Sequence, residues 1–256
     1  MSQADKGAAF AALHAGEPFV IPNPWDVGSA RVLEALGFPA LATTSSGFAF
    51  TLGRKDGGAS LDDVAAHVAA VSAATSVPLS VDLENGYGDP AEAIRRVAAA
   101  GAVGGSIEDW DPSGRLYELE EAVERVAAAA TVARGLGFPF VLVGRAENHL
   151  RGNPDLDDTI ARLRAYADAG ADCLYAPGLR TVEEISAVCS AVDRPVNVLA
   201  VPALSAAEIF AAGAQRISLG GRLAWVAATA MVAAAERMRD EGRFPELDRS
   251  LDGLLG

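Results

Sequence analysis

The stretch Ser80-Val81-Asp82-Leu83-Glu84-Asn85-Gly86-Tyr87-Gly88 decides how the chain is read. Val77, Leu79 and Val81 alternate into it as the residues of a strand do, and it ends in two carboxylates and a glycine-rich turn. Asp82 and Glu84 stand two residues apart, a spacing that puts both on one face of a strand. Two neighbouring acids repel unless a cation separates them, and a hard divalent ion such as Mg²⁺ takes oxygen ligands of this kind. The other reading leaves one acid capping the next helix and the other solvated.

Strands and helices alternate on both sides of this stretch. Phe19-Val20-Ile21 reads as a strand, then a helix over 27–36 capped by Asp26, then a strand over 40–44 that runs into Ser45-Ser46-Gly47 and a loop. Ser60 with Asp63 forms a capping box for a helix over 61–75. Beyond the central strand, helices over 90–100, 118–134, 156–169, 182–191 and 206–212 alternate with strands over 103–107, 140–143, 173–175, 195–199 and 216–219. A last long helix begins at Arg222, and the connection from Trp110 to Tyr117 reads as a short linker. The junctions Gly101-Ala102, Gly170-Ala171 and Gly213-Ala214 repeat one helix-to-strand turn. Eight such strands in 256 residues predict an α/β fold, a (β/α)8 TIM barrel, rather than an open doubly wound sheet. No G-x-G-x-x-G follows the first strand, where a dinucleotide site would need it. The expectation is one domain over 1–256.

Half of the residues are apolar, enough for a large core, and the formal charge of −13 argues against nucleic acid or an anionic membrane as partner. The apolar run over 223–235 is too short to span a bilayer, and the N-terminus lacks the layout of a signal peptide. Cys173 and Cys189 suggest neither a disulfide framework nor a zinc site. A reduced, cytoplasmic enzyme is expected.

Barrel active sites gather at the C-terminal ends of the strands. Those ends carry Asn23, Trp25 and Asp26, then Ser45, Ser46 and Gly47, then Asp82 and Glu84, then Glu108 and Asp109, then Arg145, Glu147 and Asn148. Later strands add Tyr175, Asn197 and Arg222, so the polar chemistry clusters on strands two to five. Bland readings stand beside these: Arg145 as a structural ion-pair partner of Glu108 or Glu147, Ser46 as a turn cap, and Asp56 as a solvated loop acid. Tyr87 and His149 are open as proton donors or packing residues, and Gly220-Gly221-Arg222 reads as a helix start before a phosphate site.

In order and at strand ends, the chain carries Asn23-Pro24-Trp25-Asp26 with Ser29-Ala30, Thr44-Ser45-Ser46-Gly47, Lys55-Asp56, the central stretch, Ile107-Glu108-Asp109 and Gly144-Arg145-Ala146-Glu147. On these residues it resembles the isocitrate lyase / phosphoenolpyruvate mutase superfamily over nearly its whole length. The resemblance implies a barrel whose last helix and tail, 223–256, are exchanged with a neighbouring subunit in a homodimer or homotetramer. It implies Mg²⁺, with Mn²⁺ as a substitute, and a small anionic 2-oxo or dicarboxylate substrate that passes through an enolate. It places Asp82, Glu84 and Glu108 at the metal, with Glu84 standing where an Asp is common. Ser46 and Gly47 match the groups that hold the substrate carboxylate, Asp56 an acid of the mobile loop, and Arg145 the arginine facing the enolate oxygen or carboxylate. Trp25, Ser45, Asp82 and Asn197 join the candidates for substrate contact, and Glu108, Asp56 and Tyr117 those for catalysis.

One part of the family pattern is missing. The lyases carry Lys-x-Cys-Gly-His after the Glu-Asp of strand four, the cysteine serving as general acid. Here the segment reads Glu108-Asp109-Trp110-Asp111-Pro112-Ser113-Gly114-Arg115-Leu116-Tyr117, without Cys, Lys or His. The Lys and Asn of the mutase branch are missing too. Three functions follow. The first is a C–C lyase on a 2-hydroxy- or 2-oxo-dicarboxylate, with Tyr117, Arg115 or water as the acid. The second is an oxaloacetate decarboxylase or phosphonopyruvate hydrolase whose enolate solvent protonates. The third is a barrel that binds 2-oxo acids without catalysis. The intact acids and Arg145 favour catalysis, and the expected activity is that of a Mg²⁺-dependent lyase.

Overall fold

A computed structural model describes residues 1–246 and 250–255. Strands β1 (Phe19–Ile21), β2 (Leu41–Ala42), β3 (Leu79–Asp82) and β4 (Gly104–Glu108) precede a hairpin of β5 (Trp110–Asp111) and β6 (Arg115–Leu116). Strands β7 (Val141–Arg145), β8 (Cys173–Tyr175), β9 (Val196–Leu199) and β10 (Arg216–Ser218) follow. All but the hairpin pair in parallel, in the order β1-β10-β9-β8-β7-β4-β3-β2. The two ends of that order meet where Ala42 N–H donates to the Pro22 carbonyl at 3.1 Å. Asn23 stitches the same seam: its amide nitrogen donates to the Thr43 carbonyl at 3.0 Å and its oxygen accepts from Leu219 N–H at 2.7 Å. The sheet is thus nearly closed into the expected (β/α)8 barrel.

Ten helices surround it among the described residues: α1 (Gln3–Ala15), α2 (Val27–Ala35), α3 (Ser45–Thr51), α4 (Leu61–Ala74), α5 (Pro90–Ala99), α6 (Leu119–Gly135), α7 (Leu156–Asp168), α8 (Val182–Ala191), α9 (Ala206–Ala211) and α10 (Arg222–Glu241). The three Gly-Ala junctions share one geometry. Gly101, Gly170 and Gly213 have φ of 106°, 104° and 105°, and the next N–H reaches back to the carbonyl of Val97, Tyr166 or Ile209. This is the glycine-ended helix stop, and a Cβ at Gly101 would lie 2.3 Å from Ser72 Oγ of α4.

Two segments differ from the sequence expectation. The residues after β2 form α3 rather than a loop, because Thr44 accepts from Gly47 N–H at 3.5 Å as an N-cap while Phe48 and Ala49 find buried positions. The expected linker 110–117 is the β5–β6 hairpin. Asp111 makes its turn by accepting from Ser113 N–H at 2.6 Å, and Gly114 takes a φ of 92°.

Val64, Val68, Ile94, Val97, Leu163 and Ile185 pack the helices on the sheet. Inside the barrel, Phe10 of α1 plugs the N-terminal end against Phe19, Ile21, Val141, Val143 and Cys173. Above this plug the interior turns polar, with Ser80, Ser106, Asn197, Arg216 and Ser218 all buried. Helix α10 buries Ala224 and Ala228 but leaves Trp225, Val226, Met231 and Val232 exposed. Of the expected tail, Asp252–Leu254 form a short 3₁₀ turn, whereas 247–249 and 256 lie outside the described residues. Among the described residues no helix is long and apolar enough to cross a membrane.

Two histidines tie the fold to pH. His14 sits edge-on between Phe10 and Phe19, and His67 stacks on Phe48 at 4.1 Å. Burial, aided for His14 by the charge of Arg216, pulls each from 6.5 to about 4. The unfolded chain therefore binds these protons first, so the contribution of the two neutral histidines to stability is full above pH 6.5 and is lost as pH drops from 6.5 toward 4. The loss is on the order of 3 kcal/mol per histidine. In thermal melts the Tm of wild type should drop relative to that of His67→Phe as pH falls across that window; a constant difference between the two would contradict it.

Candidate active site

The site is built where β3, β4 and β7 end side by side. The parallel register sets Glu108 opposite Arg145, with Asp82 on the adjoining strand. Arg145 Nη1 lies 3.3 Å from Glu108 Oε2 and 3.6 Å from Asp82 Oδ1, while its Nε donates to Glu147 Oε1 at 2.5 Å. The Tyr175 ring lies 5.1 Å from the guanidinium carbon. The Arg145 side chain is only 15% exposed. Burial works against its charge, but Glu108 and Glu147 outweigh burial and hold it protonated.

Glu147 is fully buried and divides its oxygens between two arginines, Arg145 on one and Arg151 Nε on the other at 2.8 Å. Its backbone is fixed by Asp109, whose Oδ1 accepts from Glu147 N–H at 2.7 Å. The other Asp109 oxygen accepts from the Tyr166 hydroxyl at 2.5 Å and from Arg162 Nη1 at 3.1 Å. Asp109 thus ties the ends of β4 and β7 to α7, and acts on the site through Glu147 rather than directly.

Strand β3 ends at Asp82, so Glu84 reaches the site through a turn rather than along a strand face. Glu84 and Tyr87 adopt left-handed φ of 49° and 53°, a strained conformation for side chains of this size. The turn is held by Asn85, which accepts from Tyr87 N–H at 3.0 Å and donates to the Tyr117 hydroxyl at 3.3 Å. A Cβ on Gly86 would lie 2.7 Å from Pro90 Cα, so the chain can close there only on glycine. The Tyr87 hydroxyl donates to Glu84 Oε1 at 3.0 Å. Burial and then the neighbouring Asp82 push the Glu84 carboxyl up to about 7. Burial also raises Glu108, against the pull of Arg145.

These groups line one cavity of about 520 Å³, walled by Ser45, Asp56, Glu84, Tyr87, Glu108, Trp110, Tyr117, Arg145 and Arg151. Ser45 N–H donates to Asp82 Oδ2 at 3.2 Å, which turns the start of α3 toward the acids. Asp82 faces a smaller polar space inside the barrel, shared with Arg145 and Asn197. Both ends of the Asn197 amide are engaged there, one with Ser218 Oγ and the other with Arg216 Nε, each at 2.9 Å. Ser46 and Gly47 lie off the main cavity. Ser46 Oγ is 3.3 Å from Thr44 Oγ1, and Gly47 packs under Trp25 and Ala224. Trp25 lines a separate apolar hollow between α2 and α10. Asp56 sits on the exposed loop after α3, where a Cβ on Gly57 would lie 3.7 Å from Glu84 Oε2. Sequence reasoning missed Arg151 and Trp110 altogether, although Arg151 stands four residues beyond Glu147.

Among the described residues, no group of three or more His, Cys, Asp or Glu side chains stands close enough to hold a metal ion. The donor chemistry nevertheless suits a hard cation. Asp56, Asp82, Glu84, Glu108 and Glu147 gather around two arginines, Arg145 and Arg151, and leave an excess of oxygen-borne negative charge. Mg²⁺ binds through one or two carboxylates and keeps several waters, so it does not need a preformed protein cage.

The phosphoenolpyruvate phosphomutase family model matches residues 10–239. A crystal structure from Burkholderia cenocepacia J2315, described provisionally as a lyase/mutase, superposes with a TM-score of 0.91 at 52% identity, covering 94% of this chain and 90% of that one. An oxaloacetate decarboxylase from Bradyrhizobium diazoefficiens is 32% identical over 244 residues, 90% of this chain and 82% of the relative. Oxaloacetate acetylhydrolase, solved with its product oxalate, superposes with a TM-score of 0.89 at 26% identity, covering 99% and 93% of the two chains.

Replacing Asp109 by Ala would strand Arg162 and Tyr166 and free the Glu147 backbone. Breaking a buried pair this way costs about 3–5 kcal/mol. Urea unfolding should show that loss, and an unchanged midpoint would contradict the anchoring role.

Proposed function

The chain belongs to the phosphoenolpyruvate phosphomutase family, within the isocitrate lyase / phosphoenolpyruvate mutase superfamily, and on that premise we propose that it is a divalent-metal-dependent C–C lyase acting on a small 2-oxo dicarboxylate, oxaloacetate first among them. The observation that carries this reading is the pairing of the Arg145 site with a short β5–β6 hairpin that bears no Cys, Lys or His. An enolate formed in this cavity takes its proton from water or from a tyrosine hydroxyl, and decarboxylation tolerates that, because departing CO2 needs no proton. The relatives named for oxaloacetate chemistry support the same substrate class.

In the proposed reaction the electron pair of the bond to the departing carboxylate moves into the adjacent carbonyl, giving CO2 and an enolate. The Arg145 guanidinium, fixed by Glu108 and Glu147, stands ready for the charge that develops on the oxygen. Such preorganised charge in a poorly solvated site is worth about 3–4 kcal/mol per donor. Protonation of the enolate carbon then yields pyruvate. The Tyr87 hydroxyl, already donating to Glu84, and the Tyr117 hydroxyl are the cavity's built O–H groups for this step. Asp82 and Glu84 would hold Mg²⁺ or Mn²⁺, with Glu108 near the ion's waters, and the bound ion would supply Lewis-acid charge for the oxo and carboxylate oxygens. Asp56, on the loop beside Glu84, would close over the bound substrate.

We assign the chain to the cytoplasm and to a homodimer or homotetramer formed through α10, whose Trp225, Val226, Met231 and Val232 lie exposed in the single chain. Sedimentation should give a dimer or tetramer; a monodisperse monomer at micromolar concentration would remove the helix exchange.

Turnover tests the function. With Mg²⁺, oxaloacetate, isocitrate, 2-methylisocitrate, dimethylmalate and phosphonopyruvate are offered in turn, and pyruvate, glyoxylate and phosphate are measured. The expected result is pyruvate and CO2 from oxaloacetate, with Asp82→Ala lowering the Mg²⁺-dependent rate by about 100-fold or more. Glyoxylate from isocitrate, or pyruvate from 2-methylisocitrate or dimethylmalate, would instead indicate cleavage of a hydroxy acid, and phosphate would indicate P–C chemistry. Undiminished Mg²⁺-dependent turnover in Asp82→Ala would sink the metal assignment.

A further inference from the structure

We propose that Arg151 selects the substrate, its guanidinium taking the carboxylate remote from the 2-oxo group while Arg145 faces the 2-oxo end. The proposal rests on the function put forward above and assigns the discrimination within it to one residue outside the barrel strands.

Glu147 sets the geometry. Its two oxygens accept from Arg145 Nε at 2.5 Å and Arg151 Nε at 2.8 Å, so one carboxylate holds two guanidinium groups beside each other on the same wall. One is deep and one shallow, with side chains 15% and 37% exposed. A ligand entering the cavity therefore meets cationic groups at two depths, the arrangement a dicarboxylate needs and a monocarboxylate does not.

The two arginines differ in what they have left to give. Arg145 is committed to Glu147, Glu108 and Asp82. Arg151 spends only Nε on Glu147; its Nη2 stands 3.9 Å from Glu108 Oε1, beyond hydrogen-bond reach. Among the described residues its two terminal nitrogens make no hydrogen bond, yet the residue lines the cavity. A guanidinium fork with both ends available matches a carboxylate in a two-point contact. The Trp110 ring, 4.6 Å from the guanidinium carbon, backs the fork and limits its swing. Trp110 belongs to β5, so the hairpin that lacks a general acid instead orients an anion-binding group.

Charge points the same way. Asp56, Glu84 and Glu108 share the cavity wall with Arg145 and Arg151. A second carboxylate brought among these acids would be repelled without a cation at the outer level, and Arg151 is the cation there.

The test is calorimetric, with Mg²⁺ saturating, on wild type, Arg151→Met and Arg151→Lys. One probe is pyruvate, which lacks the remote carboxylate; the other is 3,3-difluorooxaloacetate, which carries it. Arg151→Met should weaken the dicarboxylate by about 10- to 100-fold, the span of a lost charge-assisted contact, and shift pyruvate by less than about 3-fold. Arg151→Lys should recover part of the loss, because it keeps the charge but not the fork. Equal weakening of both probes would make Arg151 a structural partner of Glu147 and overturn the proposal, as would no change in either. Should Arg151→Met not fold, the ratio of the two affinities in Arg151→Lys decides between the same outcomes. Wild type that binds neither probe would defeat the proposed function itself, whereas wild type that discriminates and a variant that still does so would defeat only the role of Arg151.

Discussion

A buried cation held by carboxylates governs this molecule. Arg145 sits at the end of β7 with Glu147, Glu108 and Asp82 around it, and none of these groups would tolerate burial alone. Each carboxylate comes from a different segment: Asp82 from β3, Glu108 from β4, and Glu147 from the loop after β7. The parallel register sets Glu108 level with Arg145 and Asp82 two residues lower on the adjoining strand, within reach of the same guanidinium. Asp109 extends the network outward to Arg162 and Tyr166 on α7, so the rim is braced by a helix as well as by the sheet.

The same cluster that braces the rim leaves it electrostatically incomplete. Four acids, Asp56, Asp82, Glu84 and Glu108, share the cavity and the polar space beneath it with Arg145 and Arg151, and burial and then Asp82 push the Glu84 carboxyl up to about 7. Glu84 is also kept in a left-handed conformation by a turn that Asn85 and Tyr87 enforce. Strain and clustered acids coincide at one point of an otherwise well-packed barrel, as they do at functional sites. The lower end is plugged and apolar, with Phe10 buried among Ile21 and Val143.

Much of this was legible in the sequence, for local reasons. Alternating strands and helices, Ser60 with Asp63 as a capping box, and the Gly-Ala junctions each express short-range physics that a single chain displays openly. The acids and Arg145 were legible because barrel strands deliver their last residues to one rim. What escaped depended on partners distant in sequence or on turns. The α3 helix needed burial of Phe48, and the hairpin needed the Asp111 turn. Glu84 arrives at the cavity through a left-handed turn rather than along a strand face, which the two-residue spacing from Asp82 does not reveal. Asn197 lies inside β9 rather than at its end, and its amide is spent on Ser218 and Arg216, a pairing visible only once β9 and β10 are adjacent. Arg151 carried the weakest signal, because its significance comes from sharing Glu147 with Arg145 and from the Trp110 ring stacked against it.

The most direct measurement is calorimetric titration of the wild-type protein with oxalate, the planar dianion that copies the charge and shape of an enolised 2-oxo acid, with and without Mg²⁺. A site in which Arg145 and a divalent ion jointly stabilise an enolate should bind oxalate at least about tenfold more tightly when Mg²⁺ is present. Equal affinity in both conditions, or no binding in either, would contradict the assignment of this cavity to metal-assisted enolate chemistry.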